Sequence, residues 1–277
     1  MANNLPLEKK ALVLSLLTEG QSIRATSRIA GVSQPTILKL LIEAGQKARN
    51  FHDTMMKNVQ ARFMQVDEIW CYVGCKQKRT QDTDPERGDF YTFIALDADT
   101  KLVPCYRVGK RTGRLAASFM MELSIRVPSR FQLSTDSFPG YESAVDRVGG
   151  ADIDYAQIHK DYAEDKHAER RYSPPQIIRV TKCPIMGEPD RKHISTSYVE
   201  RQNLTVRMQM RRFTRLTNAF SKKVRNLEAA VDVLFFYYNF IRLHQSFRVT
   251  PAMEAKVTSR LWTWEELLTF EDSKVAA

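Results

Sequence analysis

FMQVDEIWCYVG, residues 63–74, is where the chain changes character. Aliphatic and aromatic residues fill most of its positions and Gly74 closes it, which reads as a strand. Asp67 sits inside this run, where a carboxylate is costly unless it is paired or bound to a metal. Two more β-rich runs, Asp89–Asp97 and Leu102–Val108, follow across turn-like segments and suggest an antiparallel meander. Next come a helix at Leu115–Arg126 and a strand at Arg130–Thr135 that ends on Asp136. A Pro139-Gly140 turn, a helix near Tyr141–Val148 and a strand at Asp152–His159 complete the pattern. The expected class is α/β, with an α+β-type mixed sheet.

Upstream, residues 7–48 read as three short helices. LEKKALVLSLLTEG places Leu12 and Leu16 at helical spacing, with Gly20 as a stop. Ser22 and Ser33 are N-caps for the second and third helices, Gly31 makes the turn between them, and Pro35 falls in a first turn. Two helices across a Gly-containing turn describe a helix-turn-helix, whose groove-facing residues would be Gln34, Thr36 and Lys39. An ordinary small bundle has the same pattern. Residues 49–62 carry no strong periodicity and look like a linker.

Downstream, residues 160–196 hold Pro174, Pro175, Pro184, Gly187 and Pro189, and read as irregular. The histidines in or beside this stretch (His159, His167, His193) recur at no ligand spacing. SYVERQNLTVRMQMRRF then opens a long basic helix. On α-helical spacing Asn203, Leu204, Arg207 and Arg211 share the face of Glu200, while Val199, Val206, Met210 and Phe213 form an apolar stripe. No cation stands three or four residues after Glu200, so an ion pair within the helix does not account for it. Leu227–Leu243 reads as a mostly apolar helix.

The chain has 277 residues, 43% of them hydrophobic, enough for a sizeable core. Its net charge of +10 favours a polyanionic partner. Between residues 201 and 223 lie Arg201, Arg207, Arg211, Arg212, Arg215, Lys222 and Lys223, with no acid among them. Such a run is often only a solvated face, but this one begins beside a candidate catalytic acid. Cys71, Cys75, Cys105 and Cys183 form no CxxC pair and read as reduced core thiols. MANNLPLEKK lacks an apolar signal core, and VDVLFFYYNFI is too short for a span, so a cytoplasmic protein with no membrane partner is expected.

The blocks VDEIWCYVG, STDSFPGYES and SYVERQNLTVRMQMRRFTRLTNAFSKK together resemble the DDE transposases of the insertion-sequence-one family, over roughly residues 63–245. The element order likewise resembles the ribonuclease H-like domain, in which acids on adjacent strands meet one on a following helix. The resemblance implies Asp67, Asp136 and Glu200 as a catalytic triad holding Mg²⁺, as two ions, with Mn²⁺ able to substitute. It implies phosphoryl transfer on double-stranded DNA bearing terminal inverted repeats, strand transfer into target DNA, and a homo-dimer or higher oligomer. Arg201, Asn203, Arg207 and Arg211 would hold DNA. Glu68 should point away from Asp67 by strand alternation and be structural or stand behind the metal-holding acids. Asp97 and Asp99 read as turn residues.

The expected organisation is a helix-turn-helix DNA-binding domain (1–50), a linker (51–62), a ribonuclease H-like catalytic domain (63–245) and a C-terminal tail (246–277). Two features depart from the family. No cysteine precedes Cys71 here, so DNA binding is expected to rest on the metal-free helices, and the gap from Asp136 to Glu200 is long. Two rival readings remain: a DNA-binding regulator with an inert nuclease-like domain, and a nuclease of the same fold without strand transfer.

Overall fold

The computed structural model describes residues 5–80, 84–148, 152–163, 177–214 and 217–271. Its centre is a mixed six-stranded sheet in the order β3-β2-β1-β4-β5-β6. β1 (Phe63–Val73), β2 (Gly88–Asp97) and β3 (Cys105–Gly109) form the expected antiparallel meander. β4 (Phe131–Asp136) runs parallel to β1, and β5 (Ile153–Tyr162) parallel to β4. Between them lie α4 (Gly113–Arg126) and α5 (Pro139–Arg147). This mixed α/β arrangement is compatible with a ribonuclease H-like fold.

β6 (Ile177–Met186) corrects the expectation of an irregular 160–196. It pairs antiparallel with β5 at the sheet edge, and most of its residues are exposed. An edge strand with little buried side chain shows no alternation, and Pro184 within it hid it further. Pro174, Pro175 and His167 lie outside the described residues.

α1 (Leu7–Thr18), α2 (Ile23–Ala30) and α3 (Gln34–Met55) form where the caps place them. The Ser22 hydroxyl accepts from Ala25 N at 3.1 Å and Ser33 from Thr36 N at 3.4 Å. α1 buries Val13 and Leu14 and leaves Leu12 exposed, so its inward face lies a step away from the expected one. α3 does not stop near residue 48. It continues through the start of the expected linker, because Phe51 and His52 are buried there.

Long-range packing accounts for that extension. α7 (Val224–Phe236), which passes into a π turn at Tyr237–Ile241, lies along α3. Gly45 is at the closest approach: a Cβ there would stand 2.6 Å from Ala229 Cα. Phe51 meets Phe236, Phe240, Trp262 and Phe270 edge-on, with centroids 4.6–5.2 Å apart. Within the expected C-terminal tail, α8 (Pro251–Glu254) buries Ala252, and α9 (Trp264–Thr269) buries Trp264 and Leu267. Arg49 pairs with Asp232 at 2.8 Å, and the Tyr106 hydroxyl donates to the same carboxylate at 3.0 Å. Helix α3, helix α7 and strand β3 thus share one buried polar contact.

Candidate active site

The parallel register of β1 and β4 ends at Val66 opposite Thr135, so the next residues on each strand, Asp67 and Asp136, emerge side by side. α6 (Ser197–Gln209) is set over them by a side chain of β1. Gln65 Oε1, buried, accepts from Tyr198 N at 2.9 Å and Val199 N at 3.1 Å, satisfying free donors at the helix start. Glu200 follows in that first turn. Val199 and Val206 face inward from the helix as expected, and Met210 and Phe213, which lie beyond its end, are buried too.

Two corrections follow. Glu68 belongs with the acids: single oxygens of Asp67, Glu68 and Asp136 all lie within 4.8 Å of one another. Alternation does send the two neighbours to different faces, Asp67 toward α6 and Glu68 toward Tyr141 of α5. But β4 ends at this level, so both carboxylates reach Asp136 round its tip. The Asp67 side chain also folds back along its own strand, with Oδ1 accepting from Glu68 N at 2.8 Å. Glu200, in contrast, is outside this trio. Its Oε1 accepts from Lys160 of β5 and from Thr196 Oγ1.

The electrostatics express crowding. Burial, then the charges of Asp136 and Glu68, and more weakly that of Glu200, push the Asp67 carboxyl up to about 7. Glu68 is raised by burial and by Asp136, against the pull of Arg111. Arg111 supplies the positive charge here, with Nη2 3.4 Å from Glu68 Oε2 and 3.3 Å from Asp136 Oδ2, and its plane over Phe138. The Glu68 side chain is only 3% exposed and faces the buried Tyr141 hydroxyl as well as Arg111. Three carboxylates offering one oxygen each could hold a hard divalent cation here.

The expected DNA-contacting residues divide. Gln34, Thr36 and Lys39 are exposed on the first turns of α3, with Lys39 3.8 Å from Glu43. Arg201 is exposed. Asn203 is not at the surface: it is buried and donates to Asp67 Oδ2 at 2.8 Å. Arg207 is half-buried, with Nη1 shielded. Arg211 is off the helix, because α6 breaks at the extended Met210 and Arg211–Phe213 form a separate 3₁₀ turn. Gln34 and Arg211 nonetheless line one cleft of about 630 Å³, together with Arg24, Arg212 and Lys222.

Sequence reasoning set Glu68 apart from the acids and did not single out Arg111 and Lys160. The last two come from distant segments and carry no local mark. Asp97, read as a turn residue, does cap its turn, accepting from Asp99 N at 3.2 Å and Thr100 N at 3.1 Å.

No family profile matches the chain, and no curated protein sequence does. Among solved structures, it is similar to piggyBac transposase in a cryo-EM synaptic complex with hairpin DNA. The TM-score is 0.32 and the identity 10%, over 89% of this chain. The chain spans about half of that transposase chain, 55% of its length. Among the described residues, no helix is long and apolar enough to cross a membrane.

Proposed function

We propose that the protein is a DDE-type transposase that binds the ends of an insertion sequence and catalyses metal-dependent DNA cleavage and strand transfer. The observation that carries this is the meeting of Asp67 and Asp136 on adjacent parallel strands, with Glu68 within reach of both and Glu200 in the first turn of α6. Carboxylates gathered where burial and mutual repulsion oppose their charge are explained by a cation.

Asp67, Asp136 and Glu200 are the residues that would hold the metal, with Glu68 beside them. Bound there as two ions, Mg²⁺ or Mn²⁺ would polarise the scissile phosphate and lower the pKa of the attacking hydroxyl. Asn203 keeps Asp67 oriented for that task. Arg111 and Lys160 neutralise the acids of the free protein and release them when the substrate complex forms. The α1–α3 helices act as the helix-turn-helix that selects the terminal inverted repeats through Gln34, Thr36 and Lys39. Arg201 and Arg211 hold the backbone without reading sequence. The α3–α7 packing makes this reader rigid with the catalytic sheet. Joining two DNA ends requires a dimer or larger assembly, and the reaction is at home in the cytoplasm.

The test uses the DNA flanking the gene itself. Asp67→Asn, Asp136→Asn and Glu200→Gln should each abolish Mg²⁺-dependent cleavage at the element ends while end binding survives. Normal cleavage by one variant removes that residue from the site. A wild-type protein that cuts but never joins ends to a target is a nuclease. One that binds and never cuts is a regulator.

A further inference from the structure

β1 is longer than its partner β4. Past Val66 its second edge has no strand neighbour among the described residues until Val73, which forms a parallel bridge to Ser221. This open edge starts at the acids and leads to a second pocket, of about 330 Å³. Trp70 and Tyr72 of β1 stand on one side of it and Phe220 on another. The Tyr72 ring lies 4.7 Å from Phe220 and 5.8 Å from Trp70. All three are only half-buried, leaving aromatic surface open.

The pocket is cationic as well as aromatic. Lys76 at its mouth is exposed. Arg212 lines its inner side, and its Nη1 donates to Ser221 Oγ at 2.8 Å. Its Nη2 is shielded from water and has no hydrogen-bond partner, and no carboxylate pairs with it among the described residues. Burial pulls this guanidinium down to about 10, opposite to the usual effect of an acidic neighbour. A desolvated cation with no counter-charge calls for an anion from outside.

We propose that this pocket holds an unpaired nucleotide of the DNA strand running from the acidic site along the open edge of β1. The base stacks on the Trp70, Tyr72 and Phe220 rings, and Arg212 and Lys76 balance the phosphate. Stacking on aromatic faces next to cations suits single-stranded nucleic acid of any sequence. The spacing is compatible. Trp70 and Tyr72 lie three and five residues beyond Asp67, roughly 10 and 17 Å along a strand. At ~3.4 Å each when stacked, and more when extended, that is at most about three to five nucleotides. The pocket thus takes a base that is already unpaired, near the point of cleavage. This inference rests on the DNA-processing reading above.

Fluorescence anisotropy without divalent metal tests it, using a blunt duplex and the same duplex with a single-stranded extension of about six nucleotides, long enough to reach the pocket at ~3.4 Å each. For the wild type, the extension should lower Kd about tenfold, as one stacked base does. Trp70→Ala and Phe220→Ala should bring the two Kd values within about twofold of each other. Lys76→Gln, a surface change that leaves the fold intact, should cut the advantage of the extension by about threefold. A 2-aminopurine in the extension should lose fluorescence on binding wild type but not Trp70→Ala. Equal Kd values for the two duplexes with wild type overturn the inference, as does an advantage that survives both aromatic variants. A wild type that binds neither duplex overturns the DNA reading too. One that prefers the extension yet never cleaves DNA leaves the pocket standing and removes only the transposase assignment.

Discussion

Asn203 donates its side-chain amide to Asp67 Oδ2 at 2.8 Å, one turn into α6 from Glu200. The bond ties the helix to β1 at the acid with the strongest reason to be neutral. It also changes what substitution of Asn203 should do. A DNA-contacting asparagine would, when lost, weaken binding. A residue that orients a metal-holding carboxylate should, when lost, slow the chemistry instead, by about 10- to 100-fold. Asn203→Ala is therefore expected to keep the DNA affinity of the wild type and to lower single-turnover cleavage at saturating Mg²⁺. A weakened Kd with an unchanged cleavage rate would return Asn203 to the DNA surface.

Lys160 and Glu200 make the second prediction. The pair is partly exposed, 22% and 41% by side chain, so its loss should cost less than about 1 kcal/mol of stability. Its larger effect is on availability: Glu200 cannot serve a metal while Lys160 holds it. Lys160→Ala should tighten Mn²⁺ binding to the DNA-free protein, measured by calorimetry, with little change in denaturant midpoint. Unchanged Mn²⁺ affinity would place Glu200 outside the metal site of the free protein.

Glu68→Gln should separate stability from metal binding. Because its surroundings raise the Glu68 carboxyl despite Arg111, they oppose its charge, and a neutral isostere relieves them. At pH 8 without metal, the variant should melt higher than wild type. Adding Mg²⁺ should raise its Tm less than it raises that of the wild type. An equal Mg²⁺ response in both proteins would show that Glu68 does not face the ion.

What the sequence disclosed, and what it withheld, follows the range of the contacts. Ser22, Ser33 and the apolar runs of β1, β2 and β4 act on neighbours a few residues away, and the structure places them as their patterns indicate. Asp67 and Asp136 were conspicuous because each interrupts such a run. The closeness of Glu68 to Asp136 was not legible, because alternation turns it to the other face and only the end of β4 lets it reach round. The extension of α3 depends on Phe51 meeting Trp262 and Phe270 from the far end of the chain, which no local window contains. Arg111 and Lys160 belong to the same class, as charges delivered to the acids by topology.

The last prediction concerns His52, buried between α3 and β3. An Arg126 guanidinium can only donate, so at 3.1 Å His52 Nδ1 must accept from it, which leaves Nε2–H to donate to Val103 O at 3.2 Å. Protonating Nδ1 would set one cation against another without water. Burial, then Arg126 and Arg49, accordingly hold the imidazole well below its usual range. A depressed folded-state pKa means that the unfolded chain takes up the proton first. The contribution of His52 is thus fully present above the unfolded value of about 6.5 and is lost as pH falls below it, at about 1.4 kcal/mol per pH unit. Carboxylates raised by burial, Asp232 to about 6 among them, act in the opposite sense over part of this range, so the informative quantity is a difference between proteins. Urea denaturation at pH 7.5 and 5.0 should show wild type losing more stability on acidification than His52→Gln, which keeps a polar group but cannot titrate. Equal losses would mean that the imidazole takes up its proton as readily in the folded state as in the unfolded chain, Arg126 moving away from it at low pH.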